Sequence, residues 1–401
     1  MIIHSHTSPV SWRNAVFAVF FINGFAFSTW LARVPSIRDG LDISTGQVAT
    51  LLFTGAVGAV TGLAFSSHLI AWLGQRNTIV AFSLVGLTGL LGIGAGAQFF
   101  SSYTITLLAI IAAGAGNGIA DVAMNVEGAS VERVVHRNIM PWFHAFWSLG
   151  TVTGAGVAAA VTYLGVGIGP HTLVLAILLA PLILSLRRYF STDLGSRDQD
   201  DKPTKTSIAD RLRVWKEPRT LAIGLIALGM AFAEGSANDW LALAMVDGRG
   251  FTNAEGALWF GFFTAGMLIG RVSGVYLLDR FGRVPVLQWS AATALLGLSL
   301  VLLVADPTIS IIGTLLWGLG SSLGFPVGMS AAADNPEGSA ARVSAVATVA
   351  YSAFLIGPPL IGGIGEFTGL LAALWVVAVL IAVSFLAAPA AKPPASAPAT
   401  L

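Results

Sequence analysis

Cysteine is absent from the 401-residue chain, which excludes disulfides and thiolate metal sites. Charge is scarce as well: charged residues make up 10% of the sequence against 55% hydrophobic. A soluble protein of this length would need a far more ionic surface. The few charges also avoid a dozen stretches of about 20 to 25 residues, the length a helix needs to cross roughly 30 Å of hydrocarbon with its backbone groups paired. The net charge of +1 comes without a basic face, so no nucleic-acid partner is expected. No basic segment precedes the first apolar run, which is too long for a signal peptide and is read as a retained first helix.

The apolar runs fall near 12–33, 47–73, 78–98, 103–129, 141–164 and 170–187, then 220–245, 254–278, 285–304, 308–331, 342–365 and 369–388. This pattern predicts an all-α membrane protein of twelve transmembrane helices in two six-helix bundles. The bundles are placed at 1–186 and 220–388. A polar linker at 187–219 separates them, and a disordered tail rich in Ala, Pro and Ser follows at 389–401. Within the linker, Ile208, Leu212 and Trp215 are spaced as one face of a short interfacial helix. Lys and Arg concentrate in alternate loops and in the linker, with only Arg33, Arg38 and Arg249 opposite, so both termini are expected in the cytoplasm.

The halves look related. Trp30-Leu-Ala recurs as Trp240-Leu-Ala, and the second and eighth runs both end in a short turn carrying Gly and Arg, at Gly74-Gln-Arg76 and Gly282-Arg283. Such repeats are how many transporters build two pseudo-symmetric bundles around one site.

Asp279-Arg280-Phe-Gly-Arg283 resembles the signature loop of the major facilitator superfamily, in which a carboxylate and arginines latch neighbouring helices. More narrowly, five segments resemble the YbjJ-type bacterial branch: Arg33-Val-Pro-Ser-Ile-Arg38, Gly116 to Asn125, His144 to Gly150, Glu234 to Trp240 and Gly357 to Gly363. The resemblance implies the fold of that superfamily, a bacterial inner-membrane location and transport of a small solute. Departures are visible too. Ala71 occupies the acid position in the N-terminal copy of the loop, and Gly150-Thr-Val-Thr-Gly154 lacks the proline of the antiporter motif.

Ionisable groups inside the runs carry the functional signal, because an ionised side chain in lipid must face water, pair, or lose its charge. At about 100° per residue Asn117, Asp121, Asn125 and Glu132 fall within about 80° of one another and form a polar stripe. Asp121 and Glu234 are the expected proton-coupling acids. Asn238 shares the Glu234 face, whereas Asp239 falls about 140° away on a regular helix and is assigned to a gate. Arg271, always charged, needs an acid or an anionic ligand and is assigned to an ion pair. His144 near the start of the fifth helix joins the gating group, as do Asp279, Arg280 and Arg283. Glu127, on the far side from Asp121, is expected in a structural ion pair.

Asn23, Phe27, Asn117, Asn125, Trp147, Asn238, Ser321 and Tyr351 are the expected solute-binding residues, because rings beside amides suit a sugar-like amphipathic solute. Glycine pairs such as Gly58-x-x-x-Gly62 and Gly114-x-Gly-x-Gly118 permit close helix contact. The latter is no nucleotide loop, having no preceding strand. Pro326 and Pro358-Pro359 are expected to kink the tenth and eleventh helices.

Together these features predict a monomeric secondary transporter without cofactor, metal or catalytic residues. It would move a small polar or amphipathic solute, sugar-like by preference, across the cytoplasmic membrane by alternating access, coupled to protons and in contact with lipid. A proton-driven exporter and a membrane sensor or scaffold on the same fold are the alternatives.

Overall fold

The computed structural model describes residues 8–136, 139–190, 213–335 and 338–393, which form helices and turns without a strand. Among the described residues, twelve helices are long and apolar enough to cross a membrane. They are α1 Pro9–Leu31, α2 Thr45–Leu73, α3 Gln75–Phe99, α4 Tyr103–Val135, α5 Met140–Tyr163, α6 Ile168–Tyr189, α7 Pro218–Arg249, α8 Asn253–Phe281, α9 Arg283–Leu303, α10 Pro307–Ala332, α11 Ser339–Thr368 and α12 Leu370–Ala391. The expected fold class is therefore observed.

Several helices outrun their apolar stretches. α8 continues through Asp279 and Arg280, and only Gly282, at φ 77°, separates it from α9. Hydropathy marks where lipid ends, not where the backbone hydrogen bonds end. Other departures are local. Arg33-Val-Pro-Ser-Ile-Arg38, which lies beyond the first apolar run, begins a helix over Val34–Leu41 with Pro35 in its first turn, a position where a missing N–H costs nothing. α10 is interrupted at Ser322 and Leu323, four and three residues before Pro326, whose nitrogen cannot donate back to Ser322. α11 runs unbroken through Pro358 and Pro359. α7 contains a π-helical turn at Ala237–Leu241.

Contacts divide the chain into Met1–Arg197 with Ala242–Gly261, and Asp198–Leu241 with Phe262–Leu401. The first unit therefore takes in the end of α7 and the start of α8, which the expected boundary at 186 left out. Polar contacts hold that hairpin. Arg38 Nη1 donates to both carboxylate oxygens of Asp247 at 2.8 Å, and Asn253 Nδ2 donates to Asp39 Oδ2 at 2.8 Å.

The expected linker helix lies largely outside the described residues; of it, Val214–Lys216 forms a single 3-10 turn. The start of the tail is ordered. Ala388–Ala391 forms a turn with both end alanines buried, and Arg219 donates to the carbonyls of Ala390 and Lys392 at 3.1 Å. Residues 394–401 lie outside the described residues.

Each unit repeats the same packing device. A Cβ on Gly58 of α2 would lie 2.5 Å from the Ile111 carbonyl oxygen of α4, and one on Gly266 of α8 would lie 2.2 Å from the Leu315 carbonyl oxygen of α10. Backbones at that separation admit no side chain, so glycine is what brings the second and fourth helix of each unit together. Gly74 and Gly282 take the same left-handed turn after α2 and α8, at φ 79° and 77°. These pairs share one sequence offset, close to the spacing of the Trp-Leu-Ala repeats.

Candidate functional site

In the first unit two polar groupings lie along α4. The first surrounds a small cavity of about 30 Å3 lined by Asn23, Phe27 and Trp30 of α1, Ser83 of α3 and Asn117 of α4, among others. Asn23 is buried, and its Nδ2 donates to the Ser83 hydroxyl at 3.0 Å and to the Val19 carbonyl at 2.9 Å. The amide is thereby fixed along the cavity wall. The space suits one water or one hydroxyl-sized group. The Trp147 ring packs on Phe27 at 5.9 Å, on a helix held against α1 by Gly24, where a Cβ would meet the Trp147 backbone carbonyl.

The second grouping is a hydrogen-bonded chain. Asn125 Nδ2 donates to Asp121 Oδ1 at 3.2 Å and to the Asp121 carbonyl at 2.9 Å, and its Oδ1 sits 3.1 Å from His144 Nε2 of α5. With the amide so oriented, Nε2 carries the hydrogen. The His144 ring stands edge-on to Phe20 at 5.5 Å. Asp121, Asn125 and His144, expected in three different roles, thus form one continuous path between an acid and an imidazole. Glu132, at the end of the expected stripe, turns away and accepts the Ile139 and Met140 N–H groups at 2.7 Å, which caps α5. Glu127 is fully buried and accepts the Trp12 indole N–H at 2.6 Å.

The second unit is organised differently. Arg271 Nη2 lies 3.1 Å from Glu234 Oε1, which supplies the acid that the arginine required. Asn238 and Asp239 both fall in the π-helical turn, where residues five apart rather than about four come into line. The angular separation of Glu234 and Asp239 expected from a regular helix therefore does not apply. Neither the Asn238 nor the Asp239 side chain has a hydrogen-bond or ion-pair partner among the described residues. The polar clamp at the α7–α8 hairpin uses Asp247, not Asp239.

Ser321 is buried and its hydroxyl donates back to the Trp317 carbonyl at 2.8 Å, so its hydrogen is already committed. Tyr351 makes tilted ring contacts with Phe325 and Phe354, with centroids 5.7 and 6.5 Å apart.

At the signature loop, Arg283 pairs with Asp334 at 2.5 Å and with the Ser330 hydroxyl at 3.0 Å, while Arg219 reaches the other Asp334 oxygen at 2.8 Å. Asp279, the expected latch acid, is exposed and has no partner among the described residues. Arg280 bonds the Tyr276 hydroxyl at 2.6 Å and lies over Phe281. The latching carboxylate thus comes from the segment after α10. The polar pair Asp334-Asn335 just beyond the tenth apolar run is the sequence signal for Asp334, whereas nothing in the sequence marks Ser83, a lone serine in an apolar run, as facing Asn23.

Outside the spans, burial lowers Arg38 but its bonds to Asp247 and Asp39 outweigh this and raise it above the usual arginine range. Hydrogen bonding from Arg342 holds the Glu217 carboxyl below the usual glutamate range. No cluster of His, Asp or Glu with metal-site geometry occurs among the described residues.

The Major Facilitator Superfamily profile matches residues 139–353 and 240–400, which together span more than half of the chain. The chain belongs to the Major Facilitator Superfamily. Among its relatives an uncharacterized MFS-type transporter of Yersinia pestis is 28% identical over 363 residues, 90% of this chain and 91% of that protein. Among solved structures, a point variant of the nucleoside transporter NupG superposes with a TM-score of 0.77 at 12% identity, covering 95% of this chain and 99% of that one. The E. coli fucose:proton symporter FucP superposes with a TM-score of 0.61 at 18% identity, covering 95% and 98%. At those identities the likeness is one of fold. By family and fold this is a multi-pass MFS transporter.

Proposed function

We propose that this MFS transporter moves a small polar, sugar-like solute across a bacterial inner membrane by alternating access, coupled to protons through Asp121. The observation that carries the reading is the Asp121–Asn125–His144 chain, which begins one turn of α4 away from Asn117 at the cavity wall. Asn23, Ser83 and Asn117 offer amide and hydroxyl groups beside the rings of Phe27, Trp30 and Trp147. That combination recognises a hydroxylated solute through hydrogen bonds and ring contact. NupG is a nucleoside transporter and FucP a fucose:proton symporter, and a nucleoside joins a sugar to a flat ring.

The polar path also has a chemical consequence. Asp121 is hydrogen-bonded to an amide rather than to a cation, so taking up a proton breaks no ion pair. Glu234 differs: its protonation would remove the carboxylate that faces Arg271. Asp121 is therefore the coupling acid, and the Glu234–Arg271 pair is a charge-balanced element of the second unit. Opening of the α7–α8 hairpin would break the Arg38–Asp247 contact, which gives the transport cycle a polar gate. The distribution of Lys and Arg supports cytoplasmic termini, and the five motif matches support the YbjJ-type branch.

Purified protein in proteoliposomes tests the proposal, with labelled sugars and nucleosides offered under an inward proton gradient. Gradient-dependent accumulation of one of these classes is the expected result. Accumulation only when the gradient is reversed would favour the exporter. No flux under any gradient, together with a tightly co-purifying protein, would favour the sensor or scaffold.

A further inference from the structure

The first unit holds a second polar site, apart from the α4 groupings, and its charge is all of one sign. Arg33 follows α1 directly and is 2% exposed. Its Nε donates to the Ser36 hydroxyl at 3.2 Å and its Nη2 to the Val166 carbonyl at 3.0 Å, while Nη1 is buried without a hydrogen-bond partner among the described residues. His171 of α6 is 4% exposed, within electrostatic reach of Arg33, and both of its ring nitrogens lack partners among the described residues. The Val166 carbonyl that Arg33 holds lies two residues before Ile168, where α6 begins, so the positive end of the α6 dipole falls in the same place.

Among the described residues no carboxylate pairs with this guanidinium. Arg33 forms no salt bridge among the described residues, and its neighbours Arg38 and Asp39 are engaged with Asp247 and Asn253. Burial pushes the Arg33 guanidinium down to about 10, which leaves it charged at neutral pH. A buried cation costs several kcal/mol unless a counter-charge accompanies it, and a buried N–H without an acceptor adds to that cost.

We propose that Arg33 Nη1 and His171 bind a small inorganic monovalent anion of chloride size, held against the start of α6. The anion accepts from the guanidinium and from the imidazole N–H, and it balances the charge where α1, the Val34–Leu41 helix and α6 meet. Its function is to fix this end of the first unit, independently of the transported solute.

The test uses the full chain in detergent, with thermal unfolding followed while sodium gluconate is replaced by sodium chloride or sodium bromide at constant ionic strength. Chloride and bromide are expected to raise Tm saturably by about 3 °C. The shift is expected to vanish in Arg33→Gln, and His171→Asn is expected to raise the half-saturating concentration about tenfold. A crystal grown in bromide should show an anomalous peak within hydrogen-bond distance of Arg33 Nη1. Equal Tm in gluconate and chloride for the wild type overturns the proposal even if Arg33→Gln fails to fold. So does a halide shift that survives in His171→Asn with unchanged affinity, or a bromide crystal with only water at this position.

Discussion

The two units are built on one scaffold and carry different chemistry. Gly58 and Gly266 perform the same close approach, and Gly74 and Gly282 make the same turn. Where the first unit places an acid in a hydrogen-bonded chain with an amide and an imidazole, the second pairs its acid with an arginine. Repetition preserves backbone contact, which permits few solutions, while a polar side chain within the membrane answers only to its own partners. An acid beside an amide and an imidazole has no ion pair to break. An acid beside a guanidinium is one half of an ion pair whose other half keeps its charge.

Breaking the ion pair should have the largest effect on stability. Glu234→Gln is expected to lower stability by about 3 kcal/mol because Arg271 loses its carboxylate, whereas the double variant Glu234→Gln/Arg271→Gln should recover much of that loss. Thermal unfolding in detergent measures both, and equal losses in the single and double variants would show that the pair is not coupled. The scaffold half of the comparison is tested by Gly58→Ala and Gly266→Ala. Each should cost about 2 kcal/mol, since the new Cβ meets a backbone carbonyl that must move. A large effect in one unit alone would end the equivalence.

Asn23→Ala probes the cavity with less disturbance, and it should weaken solute exchange about tenfold in counterflow assays without changing the gradient response. The smallest effect concerns Glu217. Its folded carboxyl titrates below the unfolded value, so its stabilisation is present above the unfolded value and is lost as pH falls through the folded one. Arg342→Gln should therefore flatten the acid dependence of unfolding below about pH 4.5, by less than about 1 kcal/mol for so accessible a pair. An unchanged acid profile would remove Arg342 as the cause.

The twelve helices were legible in the sequence because a lipid core leaves the backbone no alternative to a helix of fixed minimum length. Asp121 and Arg271 were legible for a related reason: an ionisable residue in an apolar run is conspicuous whatever surrounds it. Partners were not legible. Periodicity placed Asn125 on the Asp121 face, yet the reach to His144 depends on how α4 and α5 pack. Asp239 was assigned by regular helical geometry, and the π-helical turn at Ala237–Leu241 has no marker in composition. Asp334 took the role expected of Asp279 because α8 continues past the apolar run and carries Asp279 to an exposed position, while Arg283 points toward the segment after α10.

Proton-driven accumulation by Asp121→Asn in proteoliposomes tests the coupling most directly, measured beside solute counterflow in the same vesicles. Accumulation should fall to the level set by equilibration while counterflow persists at a rate close to that of the wild type. Undiminished accumulation under the proton gradient would contradict a coupling role for Asp121 and for the chain that joins it to His144.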